Sequence, residues 1–79
     1  MTETKKSYQV RVTTADGQSL IWRKIKGGPP ALLPEELIDT WISKFRPDIW
    51  EITAGGEMVG VGRSSEPSFK IAKVEKLPA

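Results

Sequence analysis

The chain has 79 residues, with twelve Lys/Arg against ten Asp/Glu for a net charge of +2, and it contains neither histidine nor cysteine. That length suits one small domain whose thin core buries roughly 60–65% of the unfolded surface. Without cysteine there is no disulfide and no thiolate zinc site, and without histidine the commonest general acid–base, the commonest metal ligand and every Ser-His or Cys-His pair are missing.

Residues 1–6 are polar and are expected to form a disordered tail. Tyr8, Val10 and Val12 then alternate with Gln9, Arg11 and Thr13, the period of a half-buried strand. Ala15, Asp16 and Gly17 supply a turn. A two-residue Asp-Gly loop would pair Val10 with Arg23. A three-residue loop with Gly17 in the left-handed region pairs Val12 with Leu20 and Val10 with Trp22. The second arrangement sets apolar against apolar and is preferred.

The stretch RKIKGGPPALLPEEL, residues 23–37, places three cations beside paired glycines and prolines ahead of a helix start. An anion site needs free backbone N–H groups at a helix N-terminus. Pro29, Pro30 and Pro34 remove donors, and Glu35 and Glu36 repel an anion, so the stretch reads as a connector. Pro34 suits the first helical position. Leu37, Ile38, Trp41, Ile42 and Phe45 then span an arc of about 140° at 100° per residue, with Lys44 and Arg46 near the negative end and Pro47 closing the helix.

Residues 48–54 read as a third strand with Trp50 and Ile52 on one face. A two-residue Gly55-Gly56 turn pairs Ile52 with Val59 and Trp50 with Val61. Gly60 and Gly62 would leave a shallow trough able to receive an aromatic ring; the surrounding GVGRSS lacks phosphate-loop spacing. Residues 63–68 are loop, and residues 68–74 form a last strand with Phe69 and Ile71 inward. Residues 77–79 are assigned to a tail, and no internal repeat is evident. The expected fold is therefore α+β: a small, mainly antiparallel sheet of four to five strands in β-β-α-β-β order, with one amphipathic helix packed on it. A partly open SH3-like barrel is the alternative.

Three tryptophans, Trp22, Trp41 and Trp50, fall on inward faces and are assigned to the core. Glu35, Glu36 and Asp39 lie on the polar side of the helix, and Glu51 and Glu57 flank a turn; no pair suits acid–base work or a calcium loop. No catalytic residue, metal or cofactor is expected. MTETKKSYQ has no apolar core after its charges, and no apolar run approaches the roughly 20 residues of a membrane span, which points to a cytoplasmic protein.

Residues 31–53, ALLPEELIDTWISKFRPDIWEIT, resemble the small N-terminal domain of Mu-like prophage FluMu-type proteins. Leu33, Glu36 and Leu37 match the helix opening, Pro47 and Asp48 the turn, and Trp50 and Ile52 the strand. The tryptophans at 41 and 50, the GGPP connector and residues 58–74 depart from that pattern. The resemblance covers under a third of the chain. It implies a small phage-derived protein and carries over no active site.

The sequence thus supports a non-enzymatic interaction module that binds another macromolecule. Ile21, Ile25 and Met58 are the candidate protein-contact residues, on a sheet face or edge that a partner or a second copy would use. The alternative is nucleic-acid binding by a basic sheet face. Arg11, Arg23, Lys24, Lys26, Lys70 and Lys73 would meet phosphates there if the first and last strands are neighbours.

Overall fold

A computed structural model describes residues 6–78. Six strands and one helix follow in the order β1 (Ser7–Thr14), β2 (Ser19–Ile21), β3 (Leu33–Pro34), α1 (Glu35–Lys44), β4 (Trp50–Thr53), β5 (Met58–Gly60) and β6 (Ser68–Pro78). The strands form one antiparallel sheet in the order β2-β1-β6-β4-β5, and β3 pairs with β1 beside β2. The fold is small α+β, with two departures from the expected element list.

The first is β3, which forms inside the supposed connector by pairing Leu33 and Pro34 with Tyr8 and Ser7. The second is β6. It runs to Pro78, so residues 77 and 78, assigned to a tail, pair instead with Gln9 and Tyr8. Residues 1–5 and 79 lie outside the described residues.

β6 holds the sheet together. Its first residues, Ser68 to Lys70, pair with β4, and the remainder pairs with β1. Between the two lies a register irregularity: Thr13 faces Lys73 while Thr14 faces Ile71, so Ala72 is extra. A bulge of this kind bends the strand and strengthens its twist, which lets one strand serve two partners. The ends of the sheet approach each other at the 54–56 turn, where the N–H of Arg23, just after β2, donates to the carbonyl of Gly56, just before β5, at 2.8 Å. No ladder joins β2 to β5 among the described residues, so the sheet curls without closing as a barrel.

Both hairpins use the same turn. The Thr14 N–H donates to the Gln18 carbonyl at 2.9 Å and the Gly17 N–H to the Thr14 carbonyl at 3.0 Å. In the second, the Thr53 N–H donates to Glu57 at 2.9 Å and the Gly56 N–H to Thr53 at 2.9 Å. Gly17 and Gly56 have φ of 95° and 90°, the region that favours glycine. In each, the threonine hydroxyl oxygen accepts the N–H four residues on, at 2.9 Å for Gln18 and 3.2 Å for Glu57. Among the described residues, Thr14 and Thr53 are the two buried polar ones. Thr-Ala-x-Gly therefore occurs twice, a short repeat with a physical role, contrary to the expectation that no repeat is present.

The first hairpin has the expected register: Val12 faces Leu20, and the Trp22 N–H donates to the Val10 carbonyl at 3.0 Å. The second does not. Its three-residue loop pairs Ile52 with Met58 and Trp50 with Gly60, in place of Val59 and Val61. Val61 is exposed, and Gly62, at φ 77°, sits in open space rather than lining a trough filled by an aromatic.

Val10, Val12, Ile38, Ile52 and Ile71 form the buried core. Helix α1 packs on β1, β3 and β6. Pro34 precedes the helix as its N-cap, one position earlier than expected, and the Glu35 N–H donates to the Lys6 carbonyl at 3.0 Å. Tyr8 donates to Glu35 at 3.1 Å and Lys76 to Asp39 at 2.9 Å, tying the helix to the sheet. Ile38 is fully buried, while Trp41, Ile42 and Phe45 are half-buried against the core. Leu37, expected in the apolar arc, is 53% exposed. The helix seats on the β1–β6 part of the sheet, which leaves the Leu37–Trp41 side overhanging toward β4 and β5.

Candidate binding groove

That overhang leaves an open groove of about 810 Å³. One wall comes from α1 through Leu37, Thr40, Trp41, Lys44 and Phe45, with Leu33 just before it. The connection after the helix contributes Arg46 and Ile49, strands β4 and β5 contribute Trp50 and Met58, and the segment that leaves β2 contributes Trp22, Arg23 and Lys24. All three tryptophans line it. The volume falls in the range of binding clefts, roughly 300–1,000 Å³.

The aromatic floor is ordered by stacking. Trp22 and Trp41 lie 4.9 Å apart between ring centroids at 17°, and Phe45 lies 5.3 Å from Trp41 at 35°. Offset stacks of this type add about 0.5–1.5 kcal/mol beyond burial. Trp50 is 38% exposed at the rim, which corrects its assignment to the core. The physical reason is the hairpin register. Gly60 stands opposite Trp50, so no cross-strand side chain covers the indole.

The rim is cationic. Among the described residues, Arg23, Lys24, Lys44 and Arg46 line the groove and no carboxylate does. Arg23 donates to the Gly28 carbonyl, and Arg46 pairs with Asp48 at 3.0 Å. The Arg46 guanidinium beside it holds the Asp48 carboxyl below its ordinary value.

The candidate nucleic-acid residues do not converge. Strands β1 and β6 are neighbours, the condition that reading required. On their outer face, however, Arg11 pairs with Glu75 at 2.8 Å and Lys73 approaches the same carboxylate at 3.8 Å. Lys26 pairs with Glu66 at 2.8 Å in the loop region. Lys70 is exposed on β6 opposite Glu51 of β4. Only Arg23 and Lys24 reach the groove. The candidate protein-contact residues also separate. Ile21 is half-buried on β2, Met58 is half-buried inside the groove, and Ile25 is 70% exposed at the tip of the 25–28 turn.

The groove residues missed from sequence are Leu33, Leu37, Thr40, Lys44, Phe45, Arg46, Ile49 and the three tryptophans. The repeated Thr-Ala-x-Gly turn was the signal that would have found part of the groove, because it sets the register that pairs Trp50 with a glycine. Among the described residues, no group of Asp/Glu is placed to hold a metal ion, and no buried side-chain polar atom lacks a partner. No helix of the described residues is long and apolar enough to cross a membrane.

Three surface carboxyls lie below their ordinary values: Asp16 through hydrogen bonds from Thr14 and Gln18, Asp48 through Arg46, and Glu75 through Arg11. A lowered folded-state value contributes stability above the unfolded carboxylate value and loses it as pH falls through the folded one. Thermal midpoints are therefore expected to be flat near neutrality and to fall on acidification through and below the ordinary carboxylate range. The fall is expected to be small, because Asp16 and Asp48 are exposed and Glu75 is only half-buried, and smaller still for Arg11→Gln, which frees Glu75. Calorimetric scans across acid pH check this; midpoints that rise on acidification would contradict it.

Comparison with known proteins finds no matching family model, no matching curated protein and no matching solved structure.

Proposed function

We propose that the protein is a non-enzymatic, cytoplasmic interaction module that binds another protein through the tryptophan groove. The observation that carries this reading is the groove itself. Leu37, Ile49 and Trp50 are large apolar side chains held in solvent beside Met58 and two further tryptophans. Contiguous exposed apolar surface of this kind on a small domain marks a contact site, whereas isolated exposed residues are ordinary. Tryptophan is also the residue type most enriched at binding hot spots. Among the described residues no carboxylate lines the groove, and the chain has no histidine or cysteine. The likeness of residues 31–53 to phage-derived domains is compatible with such a role and supplies none of its support.

A displayed library of random peptides, selected in parallel on the protein and on Leu37→Arg, tests the reading. Leu37→Arg replaces an exposed lining residue and adds no negative charge, so its fold is expected to be retained, as amide spectra will show. Peptides enriched on the parent are expected to bind the variant about tenfold or more weakly. Enrichment that is equal on both proteins, or absent on the parent, would reject the groove as the contact site.

Nucleic-acid binding is the second reading. It draws on the β1–β6 adjacency and on Trp50 standing exposed near Lys44 and Arg46. It requires binding that weakens steeply with salt.

A further inference from the structure

We infer that the groove's occupant is a short acidic segment of a partner protein, with apolar side chains as anchors and Asp or Glu between them. This rests on the protein-binding reading above and specifies the partner's chemistry.

The first ground is charge. Arg46 has Asp48 as counter-ion, but Lys24 and Lys44 have no ion-pair partner among the described residues, and Arg23 is held only by a neutral carbonyl. Elsewhere on the surface Arg11, Lys26, Lys73 and Lys76 each meet a carboxylate, while Arg63 and Lys70 stand singly without an ion pair among the described residues. Two acids of α1 are engaged by the sheet instead of the groove: Glu35 accepts from Tyr8 and Asp39 from Lys76. An apolar floor ringed by uncompensated cations is complementary to a segment that is apolar at its anchors and negative between them.

The second ground is the floor. Trp22 lies against Trp41 and Phe45 adjoins the same ring, so a face of each of these two indoles is engaged by a neighbour, and among the described residues Trp50 is the tryptophan without a ring contact. Bases bind single-strand sites by stacking on free aromatic faces. Aliphatic or aromatic side chains need only apolar walls, which Leu33, Leu37, Ile49 and Met58 supply. A second copy of this chain suits the site poorly, because a two-fold contact would set the cationic rim against its own image.

The test uses the intact protein with its three indole N–H signals as reporters. The probes are a twelve-residue peptide of Leu, Ile and Phe anchors separated by Asp and Glu, its Asn/Gln counterpart, oligothymidylate, and dodecanoate. The acidic peptide is expected to shift the indole signals and to bind about tenfold or more tightly than the amide form. Raising salt from about 0.05 M to about 0.5 M should narrow that gap. The double variant Lys24→Glu/Lys44→Glu should weaken the acidic peptide about a hundredfold and leave the amide peptide within about threefold. Lys73→Glu, on the opposite face, should change neither.

Equal affinity for acidic and amide peptides would overturn the charge assignment while leaving the groove as a protein-binding site. Indole shifts with oligothymidylate or dodecanoate and none with either peptide would overturn both. Self-association at the groove, seen as sedimentation of a dimer that Leu37→Arg dissociates, would overturn the assignment of an acidic partner.

Discussion

Gly56→Ala is expected to lower the unfolding free energy by about 3 kcal/mol, and Gly17→Ala by only about 1 kcal/mol, although the two glycines occupy the same position of the same turn. Both have positive φ, 95° and 90°, so an alanine pays the left-handed cost at either site. They differ in surroundings. A Cβ on Gly17 meets nothing within 4 Å, whereas one on Gly56 would lie 2.6 Å from the Ile21 carbonyl oxygen and 3.2 Å from the Arg23 side chain. The nearest atom is backbone and cannot turn aside. Relief requires the 54–56 turn to part from β2, with loss of the bond from Arg23 to the Gly56 carbonyl. In a domain of this size, with total stability of order 5 kcal/mol, that is a large share. Urea denaturation with unchanged m-values measures the difference. Equal losses at the two glycines would mean that the curled ends of the sheet do not touch in solution.

Ile38→Ala and Leu37→Ala are expected to separate stability from binding at adjacent positions. Ile38 is fully buried between the helix and the sheet, where removing the side chain leaves a cavity and costs about 3–4 kcal/mol. For a domain of this length that is a fall of about 15–25 °C in the thermal midpoint. Leu37 is 53% exposed on the groove wall, so its truncation should cost under about 1 kcal/mol. Groove-directed peptides should nevertheless lose affinity with Leu37→Ala. Thermal scans and peptide titrations of both variants check this pair. A Leu37→Ala protein destabilised as severely as Ile38→Ala would show that the groove closes over Leu37 in solution and offers no open wall.

The peptide titrations bear on the electrostatics in a way that stability measurements cannot. The exposed ion pairs, such as Arg11 with Glu75 and Lys76 with Asp39, each contribute little to folding. The unpaired lysines at the groove contribute less still. Their consequence is for the sign and rate of encounter with a partner, which appears as salt dependence and charge-reversal effects.

Much of this fold could be read from residue order. Alternation in β1 placed Val10 and Val12 inside, and matching apolar partners across the Ala15-Asp16-Gly17 loop set the first hairpin's register. Pro34, the acidic first turn and Pro47 bounded the helix to within a residue or two. These features are local: side-chain period, turn chemistry and proline geometry act over a few residues and need no distant partner.

The second hairpin shows where local reading stops. Gly55-Gly56 fits a two-residue turn as well as a three-residue one, and the two registers expose different residues. The buried Thr53 and the contact of Gly56 with β2 choose the three-residue form, and both depend on packing between segments far apart in the chain. Strand β3 and the last residues of β6 likewise exist because β1 offers unpaired backbone groups on both its edges. The groove depends on all of these together. A helix seated on β1, β3 and β6 leaves part of its apolar arc over β4 and β5. The register there sets a glycine opposite Trp50, and the cations at 23, 24, 44 and 46 meet around the opening only when the sheet has curled. Period and turn chemistry determine which residues can face inward. How far the neighbouring strands extend beneath the helix decides which of those residues remain open to a partner.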